Sequence, residues 1–254
     1  MRRIWLLALL VLIVTCVMAE EITVAAAADL NYALNDLAHQ FEATTGNKVK
    51  LSFGASGNLY SQIQNGAPFD VFFSADEDYP KKLANAGTAD RASLRIYAIG
   101  HLVLWVPNSS SFDPQTLKMD LLTQSKVARI AIANPQHAPY GRAAMSALEH
   151  YGLRDKVAGK LIFGENVSQA AQFVQSGNAQ AGLVALSLAE SPAMESTGKF
   201  WELPPDAYPE LKQAVVIVSA SKHKKTAQAF VDYVLSPEGA AILRKYGLTP
   251  PTSQ

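Results

Sequence analysis

Short apolar runs alternate with helix-patterned segments along nearly the whole chain, and this alternation limits the fold more than overall composition does. The runs "ITVAAA", "VKLSFG", "DVFFSA", "LRIYAIGHLVLWVP", "RIAIAN", "KLIF", "AGLVAL", "FWEL" and "AVVIVSA" have the lengths and polar flanks of strands. Between them, segments such as Leu30 to Thr44 place Leu30, Leu34, Leu37, Ala38 and Phe41 on one helical face, with Gly46 where a left-handed cap belongs. The succession defines an α/β protein without internal repeats. Two extended stretches, Ile99 to Val106 and Lys212 to Lys222, are natural crossings between two lobes. They divide the chain into a first lobe (20–98), a second lobe (99–215) and a return segment of the first lobe (216–254), with a ligand cleft between the lobes.

The N-terminal segment stands apart from this pattern. Arg2 and Arg3 precede an apolar run, Ile4 to Val14, and "CVMA" offers a small-residue cleavage site at Ala19, so residues 1–19 are expected to be a secretory signal peptide. The run is too short for a membrane span, which needs about 20 apolar residues. Export to the periplasm follows. A lipid anchor on Cys16 ranks second because Thr15 stands where a small residue would precede an acylated cysteine. Cleavage would remove the chain's single cysteine, and with it any disulfide or cysteine-based metal site. Without Arg2 and Arg3, the 22 Lys and Arg residues fall to 20 against 22 acidic residues. No clustered basic face points to nucleic acid.

Four strand ends run into polar or glycine-containing turns followed by helix signals: "AAADLN", "FGASGNLY", "ANPQHAPYGRAA" and "FGENVSQAA". The first amides of a helix have no intrahelical acceptor and lie at the positive end of its dipole, so converging helix starts make a cage of neutral donors suited to an anion. Any one such turn is ordinary in an α/β protein, and only the set is informative. Ser56 adds a hydroxyl, with Gly54 and Gly57 permitting close approach. Its other readings are a helix N-cap or a hydrolase nucleophile, but "GASG" brings the second glycine one residue too early for a nucleophile elbow. The five histidines form no zinc-binding spacing, and His137 is expected to be a solvated loop residue.

These turns resemble those of the periplasmic molybdate-binding proteins of ABC-type importers, over roughly Ile22 to Leu248. "ITVAAAADLNYAL", "QNGAPFDVFFSAD", "ANPQHAPYGRAA", "ENVSQA" and "AGLV" carry the resemblance. It implies a two-lobed type II periplasmic binding protein that closes around one tetrahedral oxyanion, molybdate or tungstate, and hands it to a membrane permease. It also implies a monomer, with no catalysis and no cofactor beyond the ligand. By the resemblance, the ligand-binding positions fall on Asp29, Ser56, the backbone amide of Tyr140 and the amide of Val167. Asp29 stands where a small hydroxyl residue is expected, and Ala185 where some members carry a tyrosine, whose phenol Tyr140 would replace. A receptor for sulfate or phosphate is the alternative within the class, and a secreted serine hydrolase the alternative outside it.

Asp29 poses the central difficulty. A carboxylate 4 Å from a further unit negative charge costs on the order of 4 kcal/mol at an effective dielectric of about 20. The preferred resolution is that Asp29 caps the Leu30 helix by accepting from the amides of Asn31 or Tyr32, leaving only its own amide for the ligand. The other is that it points inward and accepts from a protonated oxyanion such as phosphate.

Overall fold

A computed structural model describes residues 19–251, so the expected signal peptide up to Met18, with Cys16, lies outside the described residues. The apolar runs become ten strands: β1 (Glu21–Ala27), β2 (Lys48–Gly54), β3 (Val71–Ser74), β4 (Arg95–Gly100), β5 (Leu102–Pro107), β6 (Ile130–Ala133), β7 (Leu161–Gly164), β8 (Ala181–Ala185), β9 (Gly198–Glu202) and β10 (Leu211–Ile217). They form two five-stranded sheets, ordered β2-β1-β3-β10-β4 and β7-β6-β8-β5-β9.

In the first sheet β1 runs parallel to both β2 and β3, while β10 inserts antiparallel between β3 and β4. The central position of β1 explains its unbroken apolar sequence, because both faces of the sheet are covered by helices. Strand alternation sends Val24, Ala26, Phe73 and Val215 to one face, against Leu34, Leu37, Phe41 and Phe230. Ala25, Phe72 and Val216 go to the other, against Leu59, Ile63 and Leu83. The second sheet has its own core, in which Val103, Trp105, Ile130, Ile132, Leu183 and Val184 pack with Ala144, Leu148 and Val174.

The chain leaves the first sheet at His101, between β4 and β5, where the long apolar stretch suggested a crossing. Its return comes earlier than the 215/216 boundary expected from sequence, since all of β10 from Leu211 onward pairs in the first sheet. That boundary followed the apolar run "AVVIVSA", but the ladder with β4 begins upstream at Leu211↔Gly100 and includes Lys212 and Gln213. The register slips between Gln213 and Ala214. Such an irregularity re-aims a side chain locally, here that of Gln213, which is fully buried.

The helix after β1 also differs in detail from expectation. Ala28–Leu30 form a 3-10 turn that leads into an α-helix at Asn31–Thr45, closed by Gly46 at φ 75°.

Candidate functional site

The turns after β1, β2, β6 and β7 meet where the lobes face each other. They surround a small cavity, about 190 Å³ of empty space including its open mouth, lined by residues that include Ala28, Asp29, Ala55, Ser56, Tyr140 and Val167. All four positions singled out from sequence therefore border one space. Three lie in first helical turns: Ser56 opens Ser56–Gln64, Tyr140 is second in Pro139–His150, and Val167 opens Val167–Gln175. Their amides have no intrahelical acceptor. The remaining wall is mostly alanine, small enough to let backbone donors reach a compact guest, and Asp29 is the only charged residue lining it among the described residues.

Ser56 is buried, and its Oγ accepts from the Ala75 amide at 3.0 Å. That leaves the hydroxyl proton to donate. The Ala75 amide is a donor, so it cannot act as the base a nucleophile requires. The His137 side chain is exposed, as expected for a loop histidine, while its carbonyl accepts from the Gly57 amide at 2.8 Å. This bond joins the two lobes beside the cavity. Arg142 and Asp76 add an ion pair between the lobes at 2.5 Å. Ala185 is fully buried at the end of β8, opposite Leu102, and does not line the cavity.

Asp29 does not cap its helix. No side-chain capping bond is present at either helix start, in contrast to the preferred expectation. Instead its Oδ2 accepts from Gln213 Nε2 at 2.7 Å, and its carbonyl accepts from Ser187 Oγ at 2.7 Å. A competing tertiary donor has taken the carboxylate from the local amides. Gln213 is held in turn: Tyr97 OH donates to its Oε1 at 2.7 Å, and its Nε2 also reaches the Tyr140 phenol oxygen at 3.2 Å. Gly100 leaves room for this cluster, since a Cβ there would collide with the Tyr140 phenol and the Gln213 amide. Tyr140 thus directs its phenol into the Asp29–Gln213 cluster, while its position in the first helical turn places its amide by the cavity.

Asp29 is 1% exposed, and its Oδ1 is buried with no hydrogen-bond partner among the described residues. Burial raises its pKa from 3.8 to about 6, against opposing hydrogen bonding from Gln213 first, then its own backbone amide and the Tyr140 phenol. Burial and then the nearby Asp29 charge hold the Tyr97 and Tyr140 phenols well above their ordinary pKa. Sequence reasoning missed Gln213, Tyr97 and Ser187. The one available signal was a lone glutamine at the head of an apolar strand run.

Two α/β lobes with helix starts converging on a cleft define a receptor for a small solute. The chain belongs to the bacterial extracellular solute-binding protein family, whose model matches residues 22–249. It is 42% identical over 229 residues to the molybdate-binding protein ModA of Azotobacter vinelandii, with 90% of each chain covered. It is 32% identical to the molybdate-binding protein ModA of Escherichia coli, covering 90% of this chain and 89% of that one. The solved periplasmic molybdate-binding protein of Azotobacter vinelandii superposes with a TM-score of 0.86 at 38% identity, covering 91% of this chain and all of the other. The type II periplasmic binding protein fold follows. The sulfate-binding protein SubI of Mycobacterium tuberculosis shares that fold, at a TM-score of 0.76 and 15% identity.

Among the described residues no helix is long and apolar enough to cross a membrane, and no group of three or more His, Cys, Asp or Glu is placed to hold a metal ion.

Proposed function

We propose that this chain is a monomeric periplasmic receptor that captures molybdate, and tungstate with it, between its lobes and delivers it to the permease of an ABC importer. The observation that carries the reading is the convergence of helix-start amides and the Ser56 hydroxyl on an alanine-walled cavity without a basic side chain, in a chain 42% identical to a molybdate-binding protein. Fixed dipoles and charge-assisted hydrogen bonds of about 2.7–2.9 Å hold an oxyanion without a neutralising cation. In this reading Ser56 gives its hydroxyl proton, and Tyr140 and Val167 give their amides. The molecule performs no catalytic step and needs no cofactor besides its ligand.

Size separates the candidate anions, since sulfate is smaller than molybdate and leaves donors of a rigid cage out of reach. Receptors for sulfate or phosphate are the competing reading, and the carboxyl of Asp29 favours a guest that carries a proton. Calorimetry of residues 20–254 against molybdate, tungstate, sulfate and phosphate tests the assignment. One molybdate or tungstate per chain, with neither of the other anions competing, is expected. Preference for sulfate or phosphate would overturn it.

A further inference from the structure

Asp29 is an odd wall for an anion site. Among the described residues it is the only charged one lining the cavity, and its sign is the same as the guest's. Its orientation is also fixed. Oδ2 is bound by Gln213 Nε2, and the Gln213 amide is locked by Tyr97 through its other end. The carboxyl therefore cannot turn away to cap the helix, and Oδ1 is left buried without a partner. A buried oxygen of this kind needs either a donor or a proton of its own.

We propose that Asp29 is a specificity-determining residue that makes the site accept an oxyanion only together with one proton, shared between its Oδ1 and a ligand oxygen. The inference deepens the molybdate reading and rests on it. The proton balance is simple. A carboxylate, a fully ionised dianion and one proton from solvent give a carboxylic acid that donates to the bound anion. A guest already carrying a proton, such as hydrogen phosphate, brings that proton itself and donates to the carboxylate, so each complex holds one shared proton, the phosphate complex with one more negative charge. The repulsion between carboxylate and dianion disappears where the proton sits on Asp29, and against hydrogen phosphate it is offset only by the shared hydrogen bond.

The surroundings leave this role to Asp29. Its own backbone amide, the neutral amide of Gln213 from β10 and the Tyr140 phenol from the Pro139–His150 helix bear on it directly, and the Tyr97 phenol from β4 lies behind Gln213. The Leu186–Ala189 helix presents the Ser187 hydroxyl to its carbonyl, and Asn166 and Val167 complete the far wall. No lysine, arginine or histidine among the described residues bears on the Asp29 carboxyl. Both phenols stay protonated near neutrality because their pKa values are pushed well above 10. Asp76 lies one step further out, acts on Tyr97 and is paired with Arg142.

The test is calorimetry of the mature chain with molybdate between pH 6 and pH 8, in buffers of different ionisation heat. Uptake of about one proton per anion is expected at pH 8, with affinity falling roughly tenfold per pH unit above about pH 7. Asp29→Asn, which carries a permanent donor, should bind molybdate with no proton uptake and a flat pH profile. Tight molybdate binding by the wild type with no uptake and constant affinity across this range would overturn the proposal, and that result needs no variant. Binding of phosphate alone, with no uptake at pH 8, would overturn the molybdate reading but support the shared proton. Failure to bind either anion at pH 6 would overturn both.

Discussion

Two acidic or amide side chains stand at helix starts on opposite walls of the same cavity, and the structure uses them in opposite ways. Asn166 does the local job: its Oδ1 accepts from the Gln169 amide at 3.0 Å and caps the Val167–Gln175 helix. Asp29 does not cap its own turn, because Gln213, distant in sequence, holds its carboxylate. A capping residue type is thus only an offer. Whether the backbone takes it depends on which donors the tertiary fold brings within reach. The difference also divides the two walls by charge, neutral at Asn166 and titratable at Asp29.

Stability against pH probes this contrast with the largest expected effect. Asp29 has its pKa raised from 3.8 to about 6 in the folded chain, so its neutral form is the one that folding favours. Its contribution is fully present below pH 4 and is lost as pH rises through 6, on the order of 3 kcal/mol at the limit. Other carboxylates shift the opposite way, among them Asp36, held down by Tyr246, and Glu42, held down by the Val49 amide. The useful quantity is therefore the melting-temperature difference between wild type and Asp29→Asn. It should move against the wild type between pH 4 and pH 6 and level off above pH 7. A constant difference would mean that Asp29 is solvated.

A third helix start bears on the same contrast, since Ser56 opens its helix without capping it and Ala55 occupies the cap position. Ser56→Ala should weaken oxyanion binding by about 1.5–3 kcal/mol, the worth of a hydrogen bond to a charged group. Titration calorimetry reads this directly. An unchanged affinity would show that only amides hold the ligand.

Gln213→Leu would remove the donor that draws Asp29 from its cap. It leaves Oδ2 and the Tyr97 hydroxyl without their buried partner, at a cost of about 1–3 kcal/mol in stability. The loss should shrink at pH 4, where Asp29 is protonated. If the loss is the same at all pH values, the Gln213–Asp29 bond is not what fixes the carboxyl.

The smallest change is expected at the ordinary cap. Asn166→Ala should cost about 0.5–2 kcal/mol, read as a melting temperature lower by about 2–4 °C per kcal/mol, with no pH dependence. A pH-dependent loss there would erase the distinction between the two walls.

Much of this architecture was legible in the sequence because it is written in local periodicity. The apolar runs located the strands, and the 3.6-residue pattern with Gly46 located the first long helix. The four turns were legible as a set, and the structure gathers Asp29, Ser56, Tyr140 and Val167 around one cavity. What the residues did not disclose were long-range events. The insertion of β10 between β3 and β4, the slip at Gln213/Ala214 and the partnership of Gln213 with Asp29 across 184 positions have no periodic signature. For the same reason local propensity misassigned Asp29 as a cap.

The claim that the four turns form the oxyanion site is tested most directly by anomalous diffraction at the tungsten edge from crystals of residues 20–254 grown with tungstate. A single strong peak is expected inside the cavity, within hydrogen-bonding distance of Ser56 Oγ and the Tyr140 and Val167 amides, with Asp29 Oδ1 facing one ligand oxygen. A peak elsewhere, or none at saturating tungstate, would contradict the account.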